Sequence, residues 1–389
     1  MNFSLGLTAI AVAVWLGLLC FRGQFWRTDR QLEQDVVNYG DEIDLPAICA
    51  VIPARNEADL LPVTLRSLLL QIYPDFNVIL VDDGSTDGTA DVARETAAAL
   101  GIQQLHIISA APLPPGWTGK LWAIEQGIRK AQSFSPTYIL LTDADIEHAP
   151  TNLRRLVTKA MQADLDLASV MVRLRCESFW EKLLIPAFVF FFQKLYPFRW
   201  VNDPKSATAA AAGGCILIRC QALEQIGGIQ VMRQALIDDC ALAAAVKSRR
   251  GKIWLGLSNL TRSIRPYSSL ETIWNMVART AYTQLNYSPL LLVGTLLGMT
   301  IVYVVPPVGF ILGAASGSWA VSITGLIGWM LMTSAYFPTI RFYKCSPVFA
   351  LCLPAIAILY TFMTFDSAVR HWQGQGGAWK GRVYPTNSI

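Results

Sequence analysis

Charge is what this chain has least of. Only 15% of its 389 residues are Asp, Glu, Lys or Arg, against roughly 25% for a soluble domain, while 53% are hydrophobic. That deficit points to a protein that meets a membrane. The net charge of +4 is modest, and no basic run is interleaved with aromatics, which argues against a nucleic-acid partner. Histidine is scarce: three residues, far apart. The eight cysteines are scattered and none forms a C-x-x-C pair. A zinc site and a disulfide framework are therefore both disfavoured, and reduced thiols fit a cytosolic domain. Internal repeats and low-complexity tracts are missing as well.

What is present is strongly segregated. Phe3 to Cys20 is an uncharged apolar run followed by Arg22, Arg27 and Arg30. A secretory signal carries its positive charge before the apolar core, so this order reads as a retained anchor rather than a cleaved leader, which is the competing reading. The arginines put the side that follows in the cytosol. Far downstream, Leu290 to Leu312, Trp319 to Ile340 and Val348 to Val369 read as three spans, kinked at Pro306-Pro307 and Pro354. Arg341 and Lys344 sit between the last two, and Arg370, Lys380 and Arg382 follow them. Four spans with the N-terminus outside would put those last charges on the wrong side. Either one C-terminal stretch is re-entrant or the N-terminal segment is arranged differently.

Between these regions the pattern is α/β. Short apolar strands are expected at Ala47–Ile52, Phe76–Val81, Leu105–Ser109 and Tyr138–Thr142. Helices are expected at Glu57–Tyr73, Thr89–Leu100 and Thr118–Ser133, the second capped by Thr86 or Asp87 and closed by Gly101. Such alternation calls for a mostly parallel sheet with right-handed crossovers. Further strands are expected at Leu167–Leu174, Cys215–Ile218 and Lys252–Leu255, with a helix at Asp239–Arg249. Phe179 to Phe192 is intensely apolar but holds Glu181, Lys182 and Pro186, which suits an interfacial helix or a buried wall better than a span.

Carboxylates gather where strands end, the place where open α/β sheets bind ligands. Pro53-Ala54-Arg55-Asn56-Glu57 follows the first strand and Asp82-Asp83-Gly84-Ser85-Thr86-Asp87-Gly88 the second. Asp143-Ala144-Asp145 follows the fourth, and Asp238-Asp239 opens a helix. In an extended chain residues i and i+2 point the same way, so Asp143 and Asp145 form a harbour for Mg²⁺ or Mn²⁺. Each cluster alone is also compatible with turns and helix caps. Neither a G-x-G-x-x-G after the first strand nor a G-x-x-x-x-G-K-[ST] occurs, which disfavours dinucleotide and P-loop sites. A nucleoside-diphosphate site fits better: Asp82 or Asp83 on base or ribose, a metal on the DxD pair, and Lys120 of GWTGK beside the diphosphate.

This order of motifs resembles family 2 glycosyltransferases of the GT-A fold. It runs from about Cys49 to Thr280: VIPARNE, VDDGSTDGT, a GK before a helix, DAD, GG before a strand, and DDCALA. The flanking apolar segments are similar to the membrane branch of ceramide glucosyltransferase-like enzymes. RTAYTQL and the tail GGAWKGRVYP resemble the bacterial hopene-associated group.

The resemblance implies a division into an anchor at 1–22, a connector at 23–45 and a cytosolic GT-A domain at 46–287 with an interfacial segment at 179–200. About three membrane helices at 288–370 and a polar tail at 371–389 complete it. It implies donor binding by Pro53, Arg55, Glu57, Asp82, Asp83, Lys120, Asp143, Asp238 and Arg279, metal binding by Asp143 and Asp145, and Asp239 as general base. Asp238 stands where the family often has Glu. The Q-x-x-R-W motif of processive members keeps only Arg279, in Met276 to Thr280, so a single transfer is favoured over chain synthesis. Arg262 and Arg265 are weaker candidates of the same kind.

The implied reaction is an inverting, metal-dependent transfer of one sugar from a nucleotide sugar, a UDP-sugar foremost, to a lipid hydroxyl. It would take place at the cytosolic face of a bacterial inner membrane. A polyprenyl-phosphate acceptor, which needs no base, is the enzymatic rival. An inactive nucleotide-binding GT-A-like scaffold is the non-enzymatic one.

Overall fold

A computed structural model describes residues 3–35 and 44–376, together with the backbone of 378–379 and 382–383. Residues 36–43 of the connector lie outside the described residues, as does half of the GGAWKGRVYP tail, Lys380 included.

The α/β pattern forms one eight-stranded sheet. Its strands are β1 (Ile48–Ala54), β2 (Phe76–Asp82), β3 (Leu105–Ser109), β4 (Tyr138–Thr142), β5 (Ile146–His148), β6 (Leu167–Arg173), β7 (Cys215–Arg219) and β8 (Ile253–Ser263), in the order β3-β2-β1-β4-β7-β6-β8-β5. The first four are mutually parallel, as the β–α alternation predicts. β7 runs antiparallel to both β4 and β6, and β6 returns to parallel pairing with β8. The sheet is therefore mixed, and the carboxyl ends of β1, β2 and β4 share one edge.

Helices follow the strands: α1 (Phe3–Phe21), α2 (Leu61–Leu69), α3 (Thr89–Leu100), α4 (Gly119–Ala131), α5 (Asn152–Gln162), α6 (Phe179–Leu195), α7 (Asp238–Ser248), α8 (Leu270–Ala278), α9 (Pro289–Ala315), α10 (Trp319–Phe342) and α11 (Leu353–Trp372). α3 matches the expected bounds, and Gly101 closes it at φ 65°, a backbone conformation that costs glycine little. Its N-cap is Gly88, with Asp87 Oδ1 accepting the Thr89 N–H at 3.0 Å, so Asp87 tethers the first turn from one residue further back than expected. α2 begins later than expected because Glu57 to Leu60 are drawn into the loop beside the site.

Side chains alternate between the two faces of the sheet. Ile48, Ala50, Ile52, Val78, Leu80 and Leu140 pack with α2 and α5. Val51, Ile79, Val81, Ile139 and Leu141 face α4 and α6, and that core continues through Phe190 into Trp15, Tyr303, Tyr336 and Met363. The Phe179–Phe192 stretch is thus a buried wall joining the sheet to the apolar helices. Glu181 is fully buried at its start, where its carboxylate accepts the N–H groups of Ser178 (2.8 Å), Glu177 (2.9 Å) and Tyr267 (2.8 Å) and pairs with Arg175 at 2.7 Å. Burial raises the cost of its charge, but these donors prevail and hold its pKa at about 2.

Among the described residues, three helices are long and apolar enough to cross a membrane: α1, α9 and α10. α9 contains a π-helical turn at Thr300–Val304, just ahead of Pro306-Pro307. The stretch expected as a further span, Val348–Val369, divides into a single helical turn at Val348–Leu351 and α11, which carries Asp366 and Arg370.

Candidate active site

The loops after β1 and β2 are laced into one unit. The Asn56 N–H donates to Ser85 Oγ at 3.0 Å and the Thr86 N–H donates back to Asn56 Oδ1 at 2.8 Å. Ala58 N–H reaches Asp87 Oδ2 and Glu57 N–H reaches Thr89 Oγ1, both at 3.0 Å. Asp82 Oδ1 accepts the Ser85 N–H at 3.0 Å, closing the turn. Asp83 is buried, and Arg55 donates to its carbonyl oxygen while pairing with its carboxylate at 3.7 Å. The two motifs read separately in the sequence therefore form one polar rim above β1 and β2.

A second unit surrounds the end of β4. Pro53, Thr142, Asp143, Lys120, Gly213, Asp238 and Asp239 line one cleft. Lys120 Nζ lies 2.9 Å from Asp143 Oδ1 and 3.2 Å from Asp238 Oδ2. Burial works against the ammonium charge, but Asp143 and Asp238 outweigh it and hold the Lys120 pKa above the ordinary lysine value. Burial also pushes the Asp143 carboxyl up, opposed by Lys120 and reinforced by Asp145 and Asp238.

Asp239 sits in the first turn of α7, but the N-cap of that helix is Ile237, so helix capping does not account for its carboxylate. Its Oδ2 accepts the Gly213 N–H at 2.8 Å and its Oδ1 the Cys240 N–H at 2.7 Å. A Cβ on residue 213 would make only ordinary contact, 3.4 Å from that Oδ2 and 3.6 Å from Lys120 Nζ, whereas one on Gly214 would stand 2.9 Å from Val172 Cγ1, so it is Gly214 that the packing ahead of β7 requires. Burial, with Asp238 adjacent, raises the Asp239 pKa to about 6, against the pull of Lys120. A carboxylate poised there can take a proton near neutral pH.

The alternation argument for Asp143 and Asp145 does not hold as drawn, because the chain turns at residues 144–145 instead of remaining extended. The two carboxylates interact across that turn, yet each meets its own cation: Asp145 Oδ2 pairs with Arg265 Nε at 2.6 Å. Arg265 Nη2 also reaches both Glu57 oxygens, at 2.7 and 2.8 Å. Arg265, a weak candidate from sequence, thus ties the β1 loop to the DxD turn. The pairing that places it is the Ile264 N–H donating to the Asp145 carbonyl at 2.9 Å, a long-range contact without local signal. Arg262 instead pairs with Glu147 at an exposed edge. Arg279 is exposed and lines a neighbouring cleft with Tyr282, Thr283 and His371, not the carboxylate pocket.

Five carboxylates (Glu57, Asp143, Asp145, Asp238, Asp239) face two cations (Lys120, Arg265), which leaves the site rich in negative charge and suited to a hard divalent ion. Among the described residues no three His, Cys, Asp or Glu are gathered to hold a metal by themselves. A Mg²⁺-type ion held here by one or two carboxylates would take its remaining ligands from substrate phosphates and water.

His148 is buried, and burial drops its pKa to about 3. Thr142 Oγ1 donates to the Gly214 carbonyl at 2.7 Å, so His148 Nε2, 3.0 Å away, is the donor to that hydroxyl. Nδ1 accepts from Asn152 Nδ2 at 3.1 Å. A neutral imidazole thereby fixes the end of β4 against the Gly213-Gly214 loop.

Comparison with known proteins bears on these features. Residues 49–227 match the model for Glycosyl transferase family 2. The undecaprenyl-phosphate 4-deoxy-4-formamido-L-arabinose transferase of Aeromonas hydrophila is 31% identical over 142 residues, 36% of this chain and 41% of that protein. The undecaprenyl-phosphate mannosyltransferase of Micrococcus luteus is 33% identical over 124 residues, 31% of this chain and 47% of that protein. The chain thus spans less than half the length of these relatives. The mannosyltransferase PcManGT from Pyrobaculum calidifontis, solved in complex with GDP-Man and Mn²⁺, aligns with a TM-score of 0.56 at 17% identity over 95% of this chain and 99% of its own, a likeness of fold. The strand-end motifs, the mixed sheet and the family match agree: the chain has a GT-A fold, and its residues 49–227 match the glycosyl transferase family 2 domain.

Proposed function

We propose that the chain transfers a single sugar from a nucleotide-diphosphate sugar to a hydroxyl of a membrane lipid, with inversion. The observation that carries this reading is Asp239: a carboxylate tuned to about 6, next to Asp143 and Lys120 in one cleft. The rim of Asp82, Asp83, Arg55 and Glu57 would take the nucleoside, and Pro53 the wall beside it. Asp143 and Asp145 would hold Mg²⁺ or Mn²⁺, which supplies charge stabilisation for the departing diphosphate, so no proton donor is needed there. Lys120 would lend its ammonium to the same phosphates. Asp239 would accept the proton of the attacking hydroxyl as that oxygen meets the anomeric carbon. Asp238, paired with Lys120, would help keep the proton affinity of Asp239 high. Arg279, in the adjoining cleft, is proposed for the distal phosphate.

The membrane reading rests on α1, α9 and α10. With these three as spans, Arg22, Arg27, Arg30, the family 2 domain, Arg341, Lys344 and Arg370 all fall on one side, as the positive-inside rule asks of a cytosolic face. The charge conflict raised by four spans then disappears, and α11 with its exposed Phe362 and Phe365 lies along the interface. A bacterial inner membrane and a hopanoid-related acceptor follow from the sequence resemblance alone.

A second reading has its own support. Both curated relatives named above act on undecaprenyl phosphate by name, and a phosphate acceptor is already anionic. The family match, however, ends at residue 227, before Asp238 and Asp239. The test is transfer by Asp239→Asn: a collapse of turnover supports a hydroxyl acceptor, and near-normal turnover supports a polyprenyl phosphate.

A further inference from the structure

A second cleft lies apart from the catalytic one and shares no lining residue with it. It is an open cavity of about 950 Å³ between the segment that follows α1, the end of β6, the middle of β8 and the C-terminal end of α10. Arg27, Arg173, Arg341 and Lys344 all line it, against a single acid, Asp29. Asp29 is already engaged, at 2.5 Å from Arg199 and 3.9 Å from Arg27. Arg341 and Lys344 are exposed, and among the described residues neither has a carboxylate partner. Arg173 is held in place by the Tyr343 carbonyl at 3.1 Å and Asn259 Oδ1 at 3.4 Å. Among the described residues the cleft therefore carries an excess of positive charge, with Arg341 and Lys344 lacking a carboxylate partner.

Its walls say which anion. Phe337, Pro338 and Phe342 line the same cavity from the end of α10, a helix long and apolar enough to cross a membrane. Phe337 is 42% exposed. Trp26 joins them just beyond the end of α1, the other helix of that kind at this corner. A soluble phosphate compound has no use for an apolar flank continuous with a membrane-length helix. A phospholipid uses both, with its phosphate among the cations and its upper acyl chain along the aromatics. Basic pockets at the ends of spanning helices take anionic headgroups in this way.

We propose that this cleft is a binding site for the phosphate headgroup of an anionic phospholipid, separate from the site of sugar transfer. It rests on the membrane-spanning reading of α1 and α10 and is independent of the reaction assigned to Asp239. The bound lipid clamps α1 to α10 and steadies the family 2 domain against the membrane surface through Arg173.

The test is native mass spectrometry of the detergent-purified full chain titrated with phosphatidylglycerol or phosphatidylcholine. The expected result is retention of phosphatidylglycerol about ten-fold more strongly than phosphatidylcholine. Each basic side chain near such a headgroup is worth roughly a five-fold gain in affinity, so Arg341→Gln/Lys344→Gln should weaken retention roughly 30-fold. A charge-matched control at the exposed Arg249 and Arg250, as R249Q/R250Q, should retain the lipid like wild type. Equal retention of the two lipids, an unaffected Arg341/Lys344 variant or an equal loss in the control would overturn the proposal. Displacement of phosphatidylglycerol by millimolar inorganic phosphate would overturn the lipid as the source. Should the double variant fail to fold, Arg341→Gln and Lys344→Gln are titrated singly, each with an expected loss of about five-fold. None of these readouts involves sugar transfer, so failure here and failure of the catalytic reading are separable.

Discussion

Lys120 and Asp143 form an ion pair of 2.9 Å, and the same ammonium reaches Asp238 at 3.2 Å. One cation at the start of α4 thus joins the turn after β4 to the helix that carries Asp239. Phosphates of a donor would compete for this ammonium, and its release would alter the field at Asp239. Lys120→Met should therefore do two things: raise the donor KM, and move the acidic limb of the pH–rate profile upward by about one unit, because an opposite charge that lowers the Asp239 pKa has been removed. A KM change with an unmoved pH profile would mean that Lys120 acts on the donor alone.

Asp239→Asn should lower kcat by about 10²–10⁴-fold with little change in donor affinity, the usual range for loss of a general base. In the wild type, turnover should rise with pH through about 6 as the Asp239 carboxyl loses its proton. That limb should vanish in the variant. The folded state raises this pKa above 3.8, so the ionised carboxylate is a burden on stability that grows as pH rises from there to about 6. Asn removes that burden but can accept only one of the Gly213 and Cys240 N–H groups, so the two effects should largely offset and leave its melting temperature at pH 7 close to that of the wild type, which a thermal melt will check.

Arg265 holds Glu57 and Asp145 together, and removing it leaves two largely buried carboxylates facing each other. Arg265→Ala should cost about 2 kcal/mol of stability, below the 3–5 kcal/mol range for a fully buried pair because Arg265 itself is partly exposed. Mn²⁺ at millimolar concentration should restore much of that loss by taking up the freed charge. The measurement is the melting temperature with and without Mn²⁺. No recovery would argue against a metal at the DxD turn.

His148 is neutral in the fold, with its pKa lowered from 6.5 to about 3 by burial. Its contribution to stability is complete above 6.5 and is lost as pH falls from there toward 3, at about 1.4 kcal/mol per pH unit. Urea unfolding at pH 5 and pH 7 should differ by about 2 kcal/mol on this account, and His148→Gln should flatten the difference.

The parts of the fold legible in the sequence are those set by local pattern. β1 to β4 and α3 appear where apolar runs, Pro74 and Gly101 put them. The carboxylates at strand ends are legible for the same reason, since strand ends can be read from local composition. What escaped depends on partners distant in sequence. β8 was expected only at Lys252–Leu255, because Gly256, Ser258 and Asn259 break its apolar run, yet pairing with β6 and β5 carries it to Ser263. Arg265 gains its role from that extension. Glu181 looked like a mark against a membrane span; three of its four hydrogen-bonding partners lie in the loop just before α6, but the fourth, the Tyr267 N–H, is 86 residues away and only the fold brings it there. The two DxD carboxylates were read as an extended pair, whereas the turn at 144–145 sends each to its own cation.

The most direct test of the central claim is transfer of radiolabelled sugar from a panel of nucleotide sugars into extractable lipid by membranes containing the full chain, with and without EDTA, for the wild type and for Asp143→Ala. The account predicts a labelled lipid from at least one donor, abolished by EDTA, restored by Mn²⁺ or Mg²⁺, and lost in the variant together with donor binding. Labelled lipid that survives EDTA, or an Asp143→Ala protein that binds metal and donor like wild type, would contradict it.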